Sequence, residues 1–469
     1  MPVDAGGPAG SARAHVAGFF GPRVAAGDRA DQAWAPRPEG VQGAIRRRHG
    51  LAIGLPAGVG VIAVVAESTA GTVAVAVLVD AVRLRATSKD GENDKSQGRE
   101  PAEHGLRLAG PRQEACYAAG LMRALITGAT GFIGGQAARR LIRDGHEVVA
   151  YVRSRERTAE LVTEGVEICV GSLGDPNAVA DAAAGCDTII HCAAVTGYRS
   201  AKRAYSWVNV AGTENVVNAA RHAEVRRLVH MSCADVTLTN WERLNCSERQ
   251  VLMEPPLGAH AWSKSLAEEV AVTASGDGLE VVALRPAWVW GPGDTSRLPE
   301  LCAEGLSGGI RMVGRGDNLV AITYIDNLID AVVAATRAEG AVGGAYYIAD
   351  NEFLSLREFL GPLSEALGLA TPRRGPGLTL AFAMARLRSP TSDGLMREDV
   401  VIRGRGVTFD ISRGLNDLEW EPRVGLDDGM EALGVWAREV GGAKAIAELR
   451  RPPATAESVN AQVQAAGGD

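Results

Sequence analysis

The chain has 469 residues, a formal net charge of −7 and 46% hydrophobic residues. This length allows two or three domains with a sizeable core, and the mildly acidic balance gives no indication of a nucleic acid or an anionic membrane as a partner. The seven cysteines are an odd set without a C-x-x-C pair. We therefore expect reduced thiols in a cytoplasmic protein, and no metal site.

Residues 1–121 differ in composition from the rest and are rich in Ala, Gly, Arg and Pro. Arg46–Arg48 precedes an apolar run over residues 51–66 that is interrupted by Pro56 and ends at Glu67. This run is short for a membrane span and lies far from Met1 for an export signal. Met122 begins a domain whose first strand follows at once. We therefore expect residues 1–121 to be disordered, or a spurious extension, and assign them no function.

From Met122 onward, apolar segments typical of strands alternate with segments of helical periodicity. Strands are predicted at Ala124–Thr127, Glu147–Val152, Val166–Val170, Thr188–Cys192, Arg227–Met231 and Val281–Arg285. Helices are predicted at Gln136–Asp144, Val210–Ala223, Ser263–Thr273, Phe353–Ala366 and Gly425–Val440. This order predicts an α/β fold, a doubly wound parallel Rossmann sheet with a smaller C-terminal α/β region. We expect a Rossmann domain over 122–290, a substrate-binding region over 291–442 and a flexible tail over 443–469.

A three-glycine turn over residues 127–134, T-G-A-T-G-F-I-G, joins the first strand to the first helix. Gly128 permits the tight turn, Gly131 lets a pyrophosphate approach the backbone, and Gly134 lets the helix pack closely on the strand. The helix N-terminus then offers N–H donors and a positive dipole end. The turn therefore predicts a dinucleotide site.

The second strand is followed by Arg153 and Arg155, about 20 residues beyond the glycine turn. A site selective for NAD usually has an acidic residue there, whereas an arginine suits the 2′-phosphate of NADP(H). We expect NADPH as the cofactor and NADH to be disfavoured. The alternative is an exposed basic loop without a ligand.

Several ordered motifs resemble the extended short-chain dehydrogenase/reductase family, within the NAD-dependent epimerase/dehydratase superfamily. Besides the glycine turn they are H-C-A-A at 191–194, N-V-A-G-T at 209–213, S-K-S-L-A-E at 263–268 and R-P-A-W-V-W-G-P-G at 285–293. The resemblance covers about residues 122–440, in the branch of dihydroflavonol reductases and 3β-hydroxysteroid dehydrogenases. It implies cofactor contacts from Thr127, Gly128, Thr130, Gly131, Phe132, Ile133, Gly134, Ser172, Leu173, Cys192, Ala193, Ala194, Lys264 and Pro286. Ser172 stands where the family often has Asp.

The family's catalytic residues are a Ser, a Tyr and a Lys, and only the Lys is kept. Lys264 matches the family motif, but the Tyr position one helical turn earlier holds His260. The Ser position holds Cys233, and the preceding Ser232 should point to the opposite side of the strand. A thiol is a weak hydrogen-bond donor.

Three interpretations of this altered triad stay open. The protein is a reductase in which His260 donates the proton, directly or through water or with help from the substrate. It binds the cofactor without turning it over. Or another donor, such as Tyr198, Thr237 or Asn240, reaches the carbonyl.

We favour an atypical NADPH-dependent ketoreductase that acts on a ketone of a bulky, polycyclic aromatic secondary metabolite. The divergent site resembles atypical ketoreductases of polyketides such as angucyclinones, which implies a part in antibiotic biosynthesis. Trp262, Trp288 and Trp290 could stack on a flat substrate or pack in the core. The alternatives are a nucleotide-sugar epimerase or dehydratase and a non-catalytic NADP(H) sensor. We expect a monomer or homodimer with a small-molecule substrate as its partner.

Overall fold

The computed structural model describes residues 121–250, 255–387 and 395–450, and the backbone of two strands further towards the N-terminus. These two strands, β1 (Ile62–Glu67) and β2 (Val73–Leu78), pair antiparallel with Ile62 opposite Leu78. They fall in the first of two units into which the chain divides, residues 1–103 and 104–469. The rest of the segment 1–121, apart from residue 121, lies outside the described residues, and the expectation that the segment is disordered or spurious stays a prediction.

Thirteen further strands, β3 to β15, lie between residues 123 and 409 of the described chain. They are β3 (Arg123–Thr127), β4 (Glu147–Val152), β5 (Glu167–Val170), β6 (Thr188–His191), β7 (Arg227–Met231), β8 (Arg243–Cys246), β9 (Glu280–Pro286), β10 (Trp288–Trp290), β11 (Leu319–Val320), β12 (Ile322–Tyr324), β13 (Ala345–Ile348), β14 (Leu354–Ser355) and β15 (Val407–Phe409).

The helices that alternate with these strands are mostly short. They are α1 (Phe132–Arg143), α2 (Ala159–Thr163), α3 (Pro176–Ala183), α4 (Lys202–Tyr205), α5 (Gly212–His222), α6 (Gly258–Thr273), α7 (Leu298–Leu306), α8 (Ile325–Ala335), α9 (Leu356–Ala366), α10 (Leu378–Arg386), α11 (Arg397–Gly404), α12 (Ser412–Asp417), α13 (Leu426–Glu439) and α14 (Gly442–Glu448). A π-helix over Ser206–Ala211 runs into α5, and a 3₁₀ turn over Ala234–Thr237 follows β7.

Seven strands form one parallel sheet in the order β13-β9-β7-β6-β3-β4-β5. The strand order reverses between β3 and β6, which is the crevice where doubly wound folds bind their ligands. Leu125 and Ile126 alternate across β3 and are fully buried in two different hydrophobic clusters, one on each side of the sheet. The predicted doubly wound parallel fold is confirmed, because continuous apolar strands need cover on both faces.

The region after Gly291 contributes a strand to the main sheet, although the sequence places the end of the Rossmann domain at residue 290. β13 adds to the main sheet beside β9, so the Rossmann sheet draws on residues well beyond the predicted boundary at 290. A second sheet, in the order β14-β11-β15-β8, and the parallel pair β10-β12 complete the substrate-side region.

The segment 443–469, expected to be a flexible tail, begins within a helix. Residues 442–448 form α14, in which Ala443 and Ile446 are buried in the main core. Residues 451–469 lie outside the described part. Among the described helices, none combines the length and the apolar character that crossing a bilayer requires.

Candidate active site

The glycine turn is built so that only glycine fits. Gly128 has a φ of +73°, and a Cβ at this position would lie 2.7 Å from the Ala193 backbone nitrogen. A Cβ on Gly134 would lie 2.5 Å from the Gly128 carbonyl oxygen. Gly131 caps α1 without a side-chain hydrogen bond, so no side chain covers the N–H groups of the first turn. These features fit a dinucleotide pyrophosphate at the N-terminus of α1.

A chain of hydrogen bonds ties this turn to the end of β6. The Thr127 hydroxyl lies 2.7 Å from His191 Nδ1 and accepts from the Ala193 N–H at 3.2 Å. His191 Nε2 lies 3.0 Å from the hydroxyl of Thr213, which itself donates to the Asn209 carbonyl. Burial lowers the pKa of His191 to about 3, so the ring is neutral. The Thr127 side chain thus holds the 192–194 loop against the glycine turn.

The remaining residues predicted to bind the cofactor lie at the same edge of the sheet. Arg153 and Arg155 follow β4, are exposed, and form no ion pair with any described residue. The Ser172 hydroxyl accepts from the Gly174 N–H at 3.2 Å, so it stabilises its own loop. Leu173, next to it, accepts from Asn215 Nδ2 through its carbonyl.

The other members of the set fall into two groups. Phe132, Ile133 and Cys192 are partly buried and pack against the core, and Pro286 is buried at the end of β9. Thr130 and Ala194 are half-buried beside the glycine turn and in the 192–194 loop, respectively.

Helix α6 carries the one family catalytic residue that the chain keeps. Lys264 is buried and its Nζ donates to the Met231 carbonyl at 2.5 Å, where β7 ends. Burial lowers the pKa of this amine. The Ser263 hydroxyl donates to the His260 carbonyl and accepts from Asn209 Nδ2. Asn209, in the π-helix, therefore fixes the turn of α6 that presents His260 and Lys264.

The two substituted triad positions contact each other. Cys233 continues β7 in extended conformation, and its Sγ lies 3.9 Å from His260 Nε2. The preceding Ser232 points elsewhere, as predicted, and donates to Glu268 Oε2 at 2.6 Å. Arg285 pairs with the same carboxylate. The thiol and the imidazole that the sequence analysis predicts in the family's Ser and Tyr positions thus face each other.

The charge states of this pair follow from burial. Burial is the largest cause that lowers the pKa of His260 to about 4, and Lys264 and Arg297 act in the same direction. Burial likewise raises the pKa of the Cys233 thiol to about 12. At neutral pH both groups are therefore uncharged. Protonated His260 is therefore rarer at neutral pH than the ordinary histidine pKa of about 6.5 predicts.

Next to His260 lies a group of polar residues that sequence reasoning largely missed. The Tyr198 hydroxyl donates to Asp235 Oδ2 at 2.8 Å and accepts from Arg297 Nη2 at 2.6 Å. The Tyr198 ring centroid lies 6.0 Å from that of His260. Arg297 is in turn 3.9 Å from Asp399. No sequence motif pointed to Arg297, whereas Asp235 stands only two residues after Cys233.

The other two candidate proton donors, Thr237 and Asn240, differ in their hydrogen bonding. Thr237 donates to the Ala234 carbonyl and accepts from the Tyr347 hydroxyl at 3.0 Å. Asn240 has a buried amide oxygen without a hydrogen-bond partner.

Three side chains at this site have atoms that can bind a metal ion, and these atoms lie close together. Cys233, Asp235 and His260 each contribute one such atom, and these atoms lie within 4.8 Å of one another. The sequence motifs gave no hint of this grouping, because its members come from two segments that only the fold brings together.

The three tryptophans do not form one cluster. Trp290 is fully buried against Tyr324 and Phe359, so it packs in the core. Trp262 is exposed on α6. Only Trp288 connects to the site, because the Arg297 guanidinium lies over its ring and also over that of Tyr198.

Comparisons with known proteins agree with this architecture. A sequence model described as the NAD dependent epimerase/dehydratase family matches residues 124–349. A 4-hydroxy-2-methyl-3-oxo-4-farnesyl-3,4-dihydroquinoline-1-oxide ketoreductase of Stigmatella aurantiaca is 30% identical over 320 residues, which are 66% of this chain and 96% of that protein. A 3 beta-hydroxysteroid dehydrogenase/Delta 5-->4-isomerase of Mycobacterium tuberculosis is 31% identical over 327 residues, 64% of this chain and 86% of that protein.

A solved structure shares the fold. The dTDP-glucose 4,6-dehydratase DesIV of Streptomyces venezuelae, with NAD and TYD bound, superposes with a TM-score of 0.56 at 24% identity, covering 68% of this chain and 97% of that one. Together with the doubly wound sheet and the glycine turn, these matches confirm the resemblance read from the sequence. The chain belongs to the NAD dependent epimerase/dehydratase family and is an NAD(P)-dependent oxidoreductase of the extended short-chain dehydrogenase/reductase type.

Proposed function

We propose that this protein is an NADPH-dependent ketoreductase with an altered catalytic triad. The observation that carries the proposal is the contact between Cys233 and His260, 3.9 Å apart, one helical turn from Lys264. In the family the three catalytic side chains surround the reacting carbonyl, and we infer that Cys233, His260 and Lys264 take those places here. The resemblance of the chain to a ketoreductase and to a 3β-hydroxysteroid dehydrogenase supports the same reaction class.

The choice of NADPH rests on charge. Arg153 and Arg155 are exposed at the end of β4, on the side of the sheet edge where the adenosine ribose lies in this fold. Guanidinium groups bind a phosphate by charge-assisted hydrogen bonds, and neither arginine is paired within the described chain. No acidic side chain takes the position that would favour NADH.

The chain's own residues would divide the reaction as follows. A bound NADPH supplies the hydride. Lys264 orients the nicotinamide ribose and adds positive charge beside the reacting carbonyl. Cys233 and His260 face the carbonyl oxygen and polarise it. His260 is neutral, so it cannot serve as a stored imidazolium acid, and the proton reaches the oxygen through water.

The substrate would be a bulky aromatic ketone. The partly buried Tyr198 and Trp288 lie beside His260 and beside the Arg297 side chain, respectively, and such rings stack on flat ligands. The ketoreductase relative acts, by its name, on a quinoline that carries a 3-oxo group. We therefore favour a polycyclic secondary metabolite of the polyketide kind and a role in antibiotic biosynthesis. The six free cysteines among the described residues are in keeping with a cytoplasmic location.

Binding and turnover of the full-length protein test this proposal. We expect tighter binding of NADPH than of NADH in a fluorescence titration, and NADPH oxidation with at least one member of a panel of polycyclic aromatic ketones. Protein purified with tightly held NAD and active on nucleotide sugars would favour the epimerase alternative. Cofactor binding with no turnover of any ketone would favour the sensor.

A further inference from the structure

We propose that Cys233, Asp235 and His260 form a binding site for a divalent cation of the zinc class. Their ligating atoms lie within 4.8 Å of one another, and the Sγ and Nε2 atoms are 3.9 Å apart. Zinc binds sulfur at about 2.3 Å and imidazole nitrogen at about 2.0–2.1 Å. An ion at these distances from both atoms fits between the two side chains without moving them apart.

The donor set is that of a catalytic rather than a structural zinc site. A thiolate, an imidazole and a carboxylate are all zinc ligands, and catalytic sites use three protein ligands and leave one position open. Binding of the ion displaces the thiol proton to water, and the thiolate and the carboxylate then balance the charge of the dication. Two positively charged side chains, Lys264 and Arg297, lie near His260 and would repel a dication. Asp399 already offsets Arg297 from 3.9 Å away.

The surroundings hold two of the ligands in place, as outer residues do in known metal sites. The Tyr198 hydroxyl donates to Asp235 Oδ2 and is itself held by Arg297, so the orientation of this carboxylate is fixed. The Cys233 backbone is extended at the rigid end of β7.

His260 presents Nε2 to Cys233, and its Nδ1 is buried without a hydrogen bond of standard geometry. When an ion binds Nε2, the ring carries its one proton on Nδ1, the nitrogen that does not bind the ion.

The role of the ion rests on the proposed ketoreductase function, whereas its binding does not. The family's Tyr and Ser together polarise the carbonyl, and the cation would stand between their two replacements. It would polarise the ketone oxygen as a Lewis acid. The hydride of NADPH adds to the carbonyl carbon, the electron pair of the C=O bond moves to oxygen, and water supplies the proton that completes the alcohol.

The binding test uses Co²⁺, which replaces zinc and is visible by absorption. Full-length protein is freed of metal with a chelator and then titrated with Co²⁺. We expect a thiolate-to-cobalt charge-transfer band in the near ultraviolet that saturates at a single equivalent. Cys233→Ser should abolish this band, whereas Cys169→Ser, which changes another partly buried thiol, should keep it. Circular dichroism checks that both variants are folded.

Absence of the band in the wild-type protein would overturn the site, as would its persistence in Cys233→Ser. These outcomes require neither NADPH nor a ketone, so they are independent of the proposed function. The role is tested next. Metal-free enzyme should reduce a ketone at least tenfold more slowly than zinc-restored enzyme, with unchanged NADPH affinity. A cobalt band together with equal rates would overturn the catalytic role and leave the site standing.

Discussion

His260 Nε2 faces Cys233 Sγ at 3.9 Å, so the side chains in the family's Tyr and Ser positions form a direct pair. Both are buried, and burial keeps both uncharged at neutral pH. In the proposed reductase, this imidazole and this thiol take the places of the family's phenol and hydroxyl beside the carbonyl oxygen. The predictions below follow from this pair and from the cofactor site beside it.

Replacing His260 by Phe should slow ketone reduction substantially. The substitution removes a polar group that faces the carbonyl oxygen, and loss of such a group typically costs about 10²–10⁴-fold. Steady-state rates with saturating NADPH measure the effect. His222→Phe, at the exposed end of α5, is the matched control and should leave the rate unchanged. Equal rates for His260→Phe and wild type would remove His260 from the mechanism.

Replacing Lys264 by Ala should weaken cofactor binding. The buried amine is held by the Met231 carbonyl at the end of β7, where the nicotinamide ribose is expected. We expect the dissociation constant for NADPH to rise by about tenfold or more, which corresponds to about 1.4 kcal/mol. Lys202→Ala, an exposed lysine in α4, controls for loss of a positive charge. Wild-type affinity in Lys264→Ala would place the nicotinamide elsewhere.

Reversing the charge of Arg153 and Arg155 should remove the preference for NADPH. A double change to Glu places like charges opposite the 2′-phosphate, while the NADH ribose can still donate to a carboxylate. Fluorescence titrations should show weaker NADPH binding with NADH binding kept or improved. Lys444→Glu makes the same kind of charge change at an exposed position of α14 and should leave the preference for NADPH unchanged. An unaltered preference in the double variant would mean that these arginines form only a basic loop.

The sequence was sufficient to predict those parts of the fold that depend on local pattern. β4 and β7 begin and end where predicted, because their apolar runs are bounded by polar residues and turns. The helix after the glycine turn begins at Phe132, four residues before its predicted start, because Gly131 and not a polar cap opens it. β13 was not predicted, since a four-residue edge strand has no distinct periodicity.

Some contacts of the candidate site could not be predicted from the sequence, and this too has a physical cause. The family pattern predicted Lys264, His260 and Cys233 as one site, and the structure does bring Cys233 and His260 into contact one helical turn from Lys264. Burial by distant segments decides the pKa of His260, and Arg297 reaches Tyr198 from 99 positions along the chain. No local spacing encodes such contacts. The same reason hid the association of Asp235 with His260.

Buried neutral histidines should make the protein sensitive to acid. Burial lowers the pKa of His191 to about 3 and that of His260 to about 4, below the value near 6.5 of an unfolded chain. The unfolded state therefore binds more protons below pH 6.5. The stability these residues contribute is complete above that pH and is lost as the pH falls towards the folded values. Each costs about 1.4 kcal/mol per pH unit in that window.

Urea unfolding at pH 6 and pH 5 measures this loss, and the two residues together should contribute about 2 kcal/mol between these values. His191→Gln removes one titrating group, so its free energy of unfolding should fall less steeply with decreasing pH. The comparison uses slopes, so a general loss of stability in the variant does not affect it. Identical slopes in the variant and the wild type would show that His191 is not held neutral by the fold.

The central claim is that the protein uses NADPH to reduce a ketone. The most direct measurement is NADPH oxidation by the full-length protein with a panel of polycyclic aromatic ketones, run in parallel with NADH and with the Lys264→Ala variant. We expect ketone-dependent oxidation of NADPH that is faster than the oxidation of NADH and is strongly reduced in Lys264→Ala. Tight NADPH binding without oxidation by any ketone of the panel would contradict it.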